Sequence, residues 1–201
     1  MKRLLYIVLS LAVVCLVVYS AMDSSAHKDT APKEKLSPAQ EDALAQESFK
    51  LWKSFTPPTG EFKALFPSLP QHAAENTRDP HTNQPRNYVM YVSEKPNGTL
   101  LMVSMITYPK DGTMAPPTQI LHNVMQELMT SNPANKLISE KENPIAAYPS
   151  LDFSIKNKEV RIENRGFIKD HTLFLLTFIA KNEEFNEKEY MHFLDSFELL
   201  K

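Results

Sequence analysis

The chain has 201 residues, 42% of them hydrophobic, with 22 Lys and Arg against 24 Asp and Glu, for a formal net charge of −2. That length suits one globular domain plus an appendage and excludes two full domains. The near balance of dispersed charges leaves no cationic face for a phosphate backbone, so nucleic acid is excluded as a partner.

Residues 1–22 read as a targeting segment. Lys2 and Arg3 precede an apolar run over residues 4–21, and Asp23, Ser24 and Ser25 close it. At about 18 residues the run exceeds the roughly 7–15 of a signal-peptide core and reaches the roughly 17–25 of a spanning helix. Both an uncleaved signal-anchor, a transmembrane helix, and a cleaved signal peptide with a secreted product are consistent with it. In either case Lys2 and Arg3 stay inside, and the remainder is expected outside the cytoplasm, periplasmic or extracytoplasmic. Cys15, the only cysteine, falls within the run, so the exported part forms no disulfide. Residues 23–36, rich in Ser, Ala, Lys, Pro and Asp, read as a flexible spacer.

The globular domain is expected over residues 37–201. Ser37-Pro38-Ala39-Gln40 carries an N-terminal cap signature and opens a helix predicted to reach Trp52, broken by the Pro57-Pro58 and Gly60 stretch. Glu61 to Phe66 reads as a short strand stopped by Pro67, and a second strand passes through Ala73 to Thr77. Asn87–Ser93 and Thr99–Tyr108 form the clearest hairpin, because Pro96-Asn97-Gly98 supplies the positive-φ residues of a tight turn. Ile120, Leu121, Val124, Met125, Leu128 and Met129 recur at helical period, predicting a core-facing helix that ends at Asn132-Pro133.

Lys136 to Glu142 reads as a short strand. A meander follows, in which Leu151, Phe153 and Ile155 alternate with Asp152, Ser154 and Lys156; Val160 and Ile162 continue it, and Leu173 to Ala180 is apolar on both faces. Asn186 and Glu189 cap a last helix expected to bury Tyr190, Met191, Phe193 and Leu194, and Phe197 to Leu200 returns as an edge segment. Hairpins dominate over strand-helix-strand units. The fold class predicted is therefore α/β, a mainly antiparallel sheet packed by helices on both faces, an α/β/α sandwich.

Gly60-Glu61-Phe62-Lys63-Ala64-Leu65-Phe66-Pro67-Ser68-Leu69-Pro70 at one end and Phe193-Leu194-Asp195-Ser196-Phe197-Glu198-Leu199 at the other resemble the PsbP-like family over about residues 49–201. The resemblance implies an antiparallel sheet between helices and non-enzymatic roles: an extrinsic photosystem subunit, a nuclear Ran-binding protein, and envelope proteins similar to DcrB. It transfers no functional residue.

Catalytic signatures are absent from the sequence: no glycine-flanked serine elbow, no phosphate loop, no His-Glu-x-x-His, and only four glycines. No cofactor is expected. His72, Asp79 and His81 share a polar stretch without metal-site spacing, and the methionines fall on core faces, so no metal ligand is assigned. Glu183, Glu184, Glu187 and Glu189 suit the dipole of the last helix better than a calcium site. The candidate partner surface is an aromatic patch around Trp52, Phe55 and Tyr108, with an exposed charged row of Arg161, Glu163 and Arg165. The function expected is a membrane-tethered, non-enzymatic envelope accessory protein whose exported domain binds another envelope protein. Alternatives are a small-ligand or metal binding protein with its cavity between sheet and helix, and a hydrolase.

Overall fold

The structure is a computed structural model, which describes residue 37 and residues 45–79, 83–110, 112, 114–145 and 147–200. The targeting run, the spacer and most of the first cap signature lie outside the described residues. Among the described residues no helix is long and apolar enough to cross a membrane.

Seven strands form one antiparallel sheet. In chain order they are β3 (Gln71–Arg78), β4 (Pro85–Glu94), β5 (Leu100–Thr107), β6 (Lys136–Glu142), β7 (Ser150–Lys156), β8 (Val160–Lys169) and β9 (Thr172–Lys181), in spatial order β3-β4-β5-β9-β8-β7-β6. The β4–β5 hairpin closes as its sequence demands, with Gly98 at φ 82° and Lys95 N donating to Thr99 O. Asp170, at φ 53°, turns β8 into β9. The two central strands, β5 and β9, are buried nearly end to end, as their continuous apolar runs require.

Helix α1 (Pro117–Thr130) lies on one face and buries Ile120, Leu121, Val124 and Met125 against Leu151, Phe153, Ile155 and Leu175. His122, whose side chain stays 41% exposed, places Nε2 2.7 Å from Glu140 on β6, the edge strand of the sheet.

The opposite face corrects the expected sandwich. It carries a second, three-stranded sheet in the order β1-β2-β10, made of β1 (Lys53–Phe55), β2 (Phe62–Phe66) and β10 (Glu198–Leu199). Ten strands and few helices among the described residues make the fold mainly antiparallel β, without a helical layer on each side. The physical cause is β2. Its Phe62, Ala64 and Phe66 alternate at strand period and are fully buried against Tyr91, Val103 and Phe178 of the large sheet, filling the space a helix would occupy. Residues 53–55, expected to follow directly from a helix, pair with β2 instead, and the helical stretch described ends at 49. Helix α2 (Glu187–Asp195) sits at the border of the small sheet and buries Phe193 and Leu194. Met191, expected inside, is 41% exposed.

Candidate protein-binding surface around the last helix

Helix α2 begins where Asn186 Oδ1 accepts from the backbone N–H groups of Lys188 and Glu189, and Glu187 and Glu189 occupy its positive end. Glu184, Glu187 and Glu189 of the acidic cluster thereby serve the helix start and the neighbouring turn. Glu189 pairs with Lys95 Nζ at 2.6 and 2.7 Å, and Glu184 accepts from Asn97 Nδ2 at 3.1 Å. The Asn97 amide, which begins a glycosylation-like triplet, also accepts from Thr99 N and so serves the turn.

Two chemically different regions flank this helix. On one side Phe49 stacks on His192 with ring centroids 4.1 Å apart, and Trp52 meets both rings edge-on at 5.7 and 4.9 Å. Leu51, next in the chain, is 71% exposed, so an aromatic cluster with an aliphatic neighbour reaches water here. Burial holds the His192 imidazole below its usual pKa, partly offset by the nearby Asp195 charge, and its Nε2 is buried without a hydrogen-bond partner.

On the other side lies the charged row of β8. The expectation of an exposed row needs correction, since Glu163 is only 7% exposed. The β7–β8 register sets Asp152 opposite Arg165 and Ser154 opposite Glu163. Arg165 donates through Nε and Nη2 to the two Asp152 oxygens, each at 2.7 Å, and Asn143 Nδ2 adds a third bond to Asp152 at 3.1 Å. Glu163 accepts from Ser154 Oγ at 2.7 Å and from Arg161 Nε, while the Arg161 guanidinium lies 3.9 Å above the Phe185 ring. Tyr190 of α2 roofs the cluster. Burial, then the Asp152 and Glu163 charges, push its phenol far above the ordinary range, so it stays neutral. The Asp152 bond likewise strengthens the charged state of Arg165.

Of the six residues expected at a partner surface, Trp52, Arg161 and Arg165 reach the flanks of α2. Phe55 packs between the sheets against Phe62, Phe66 and Tyr91. Tyr108 is 7% exposed and belongs to the core under α1, so it adds nothing to an exposed patch. The sequence reading missed His192 and Asp152. Asp152 was accessible in principle: once residues 158 and 159 are taken as the tip of the turn, with 157 opposite 160, the strand period sets it across from Arg165. His72 and Asp79 do not converge, because they stand at opposite ends of β3, roughly 20 Å apart at strand rise. Among the described residues no group of three His, Cys, Asp or Glu could hold a metal ion. Met90, Met102, Met105 and Met125 are core residues.

A seven-stranded antiparallel sheet backed by one helix and faced by a small sheet of terminal strands is a PsbP-like fold. The solution structure of cyanobacterial PsbP, CyanoP, from Synechocystis sp. PCC 6803 matches with a TM-score of 0.50 over 74% of this chain and 92% of that one, at 10% identity. At that identity the fold alone is shared. A protein from Bacteroides thetaiotaomicron aligns over 74% of this chain and 48% of its own, with a TM-score of 0.37 and 14% identity. No protein-family model matches the sequence, and no curated protein does.

Proposed function

We propose that this chain is a membrane-tethered, non-enzymatic accessory protein of a bacterial-type envelope, comparable in role to DcrB-like proteins, whose exported domain binds another envelope protein through the surface around α2. The observation that carries the reading is the stacked Phe49, Trp52 and His192 cluster with Leu51 in water beside it, set against a half-buried charged platform. An apolar aromatic centre with a polar, charge-paired margin is the anatomy of a protein interface, and tryptophan is the residue type most enriched among energetic anchors. The ion pairs of the platform supply register and discrimination between partners more than affinity. The tether reading is supported by Lys2 and Arg3 ahead of the apolar run 4–21.

The test places a photo-crosslinking amino acid at Leu51 of the full-length chain in its native envelope, with the same probe at exposed Glu75 on the far sheet edge as control. The expected result is an adduct with one envelope protein from the Leu51 probe only, lost when Trp52→Ala is added. Equal labelling from both positions, or an adduct indifferent to Trp52→Ala, refutes the surface. Protease added to spheroplasts should digest the domain, and complete protection refutes the export.

A further inference from the structure

The two edges of the seven-stranded sheet are built differently. β6 carries Lys136, Glu140, Lys141 and Glu142 and breaks its register with β7 between Leu137 and Ser139, and dense charge with a bulge keeps an edge from taking another strand. β3 is less protected. Its residues pair with β4 in unbroken register, contain no proline or lysine, and carry charge only at Glu75 and Arg78. All of them except Thr77 are exposed, and among the described residues no strand lies beyond this edge.

The phase of the ladder decides which backbone groups of β3 are free. Lys95 N donates to Thr99 O where β4 turns into β5, which directs the odd-numbered residues of β4 to β5 and the even-numbered ones to β3. Asp79 N donating to Gln84 O gives the same phase from the other end. Gln71, Ala73, Glu75 and Thr77 therefore bond to β4, and Pro85, which has no N–H, falls opposite Arg78 at a non-bonded pair. His72, Ala74, Asn76 and Arg78 direct their N–H and C=O groups outward.

An added antiparallel strand must bond to those outward groups. For a second copy of β3 related by a two-fold axis, only registers whose axis passes through a residue bring outward groups together, and the two longest place it at Ala74 or at Glu75. At Glu75 two carboxylates oppose each other, which is unfavourable. At Ala74 two methyl groups meet on the axis, and His72 falls opposite Asn76, Ala73 opposite Glu75 and Gln71 opposite Thr77, with no like charges directly opposed. β3 is thus self-complementary in one long register.

We infer that the chain forms a two-fold homodimer in which β3 pairs antiparallel with β3 of a second copy, centred on Ala74, joining two seven-stranded sheets into one. The test uses the full-length chain with Cys15→Ser, which removes its only cysteine. Ala73 and Glu75 of the two copies form a non-hydrogen-bonded pair with Cα atoms about 4.5 Å apart, inside the roughly 4.4–6.8 Å of disulfides. Differently tagged Ala73→Cys and Glu75→Cys chains, co-expressed in the native envelope and mildly oxidised, should form a mixed disulfide dimer far faster than either chain forms one with itself. Sedimentation velocity in detergent micelles should give a dimer for the parent chain. Ala74→Lys sets two ammonium groups against each other on the axis and should weaken the dimer by about tenfold or more, with the urea midpoint of the dilute, monomeric chain unchanged. A monomeric parent chain, a dimer indifferent to Ala74→Lys, or mixed crosslinking no faster than self-crosslinking overturns the inference. A dimer lost in Trp52→Ala but kept in Ala74→Lys would run through the α2 surface and overturns it as well. A photo-crosslinker at Glu75 marks only a second copy in this arrangement, at twice the chain mass, and so stays distinct from the envelope-protein adduct sought at Leu51.

Discussion

Gly166 offers the sharpest test of how α1 is seated. On β8 it stands between Leu151 of β7 and Leu175 of β9, and a Cβ added there would lie 3.0 Å from Leu121 Cδ2 and 3.4 Å from Leu175 Cδ1. Carbon pairs are most favourable at about 3.5–4.0 Å, so the Leu121 methyl must retreat by about half an ångström. Leu121 is 3% exposed and packed among other buried side chains of the same cluster, which leaves it little room. Overpacking of this kind costs about 1–3 kcal/mol, against a gain of about 0.4–1 kcal/mol from replacing glycine in the unfolded chain. Gly166→Ala should therefore destabilise by about 1 kcal/mol. For a chain of this size that lowers Tm by about 2–4 °C. Urea unfolding, followed through the single tryptophan, Trp52, should show a lower midpoint at unchanged slope. In a Leu121→Ala background, where the obstructing methyls are gone, the same substitution should become neutral or stabilising. A stabilising Gly166→Ala in the parent chain, or additivity of the pair within about 0.5 kcal/mol, refutes the reasoning.

Three further outcomes are expected. Asp152→Ala leaves the half-buried Arg165 without its two-bond partner and should cost about 2 kcal/mol, discounted from the roughly 3–5 kcal/mol of a fully buried pair because both side chains keep about a fifth of their exposure. A double-mutant cycle with Arg165→Ala should return a coupling above about 1 kcal/mol, and zero coupling would contradict the bidentate geometry. Asn186→Ala removes the acceptor for two helix-end N–H groups and should lower stability by about 1 kcal/mol, with Asn186→Ser retaining most of it, as read from urea midpoints. His192 has its pKa depressed in the fold, so the unfolded chain binds the proton more tightly. Its contribution is fully present above the ordinary histidine pKa of about 6.5 and is lost as pH falls from there through the lower folded value. The Tm difference between the parent chain and His192→Gln should accordingly shift against the parent on acidification through that window, and a pH-independent difference would exclude the linkage.

The parts of the fold that were legible in the sequence are those decided locally. Pro96-Asn97-Gly98 between two β-rich runs fixes a hairpin whatever surrounds it, and a helix with Ile120, Leu121, Val124 and Met125 at one period has only one face to bury. What covers the second face of the sheet was not legible. Phe62, Ala64 and Phe66 announce a strand with one buried side, but the pattern is the same whether that side meets a helix or a sheet. The deciding contact is with Glu198 and Leu199, at the other end of the chain. A three-residue strand such as β1 is too short for a period to show. The same limit applied to the site. Alternation along β8 assigns Arg161, Glu163 and Arg165 to one face, yet only the seating of α2 and Phe185 decides that the face is roofed. Tyr108 lies next to a polar connection in sequence and is buried because the hairpin and α1 close over it.

The attachment of α2 bears directly on whether its two flanks can act as a binding surface at all. Its start is held by Asn186 and by Lys95 at the β4–β5 turn, and its inner face by Phe193 and Leu194. Just beyond its end, Leu65 N of β2 donates to Ser196 Oγ at 3.0 Å. None of these anchors belongs to the Phe49, Trp52 and His192 cluster. Replacing Trp52 should therefore leave the helix seated while removing the centre of the patch, so that loss of a crosslinked partner in that variant reports on recognition. The charged flank behaves differently, because Asp152 and Arg165 also join β7 to β8 and their removal reaches the sheet. On the proposed binding role, substitutions on the aromatic flank should reach the fold less than those on the ionic flank, whose residues also join β7 to β8. Variation of specificity without loss of stability is expected to fall on the residues around Trp52.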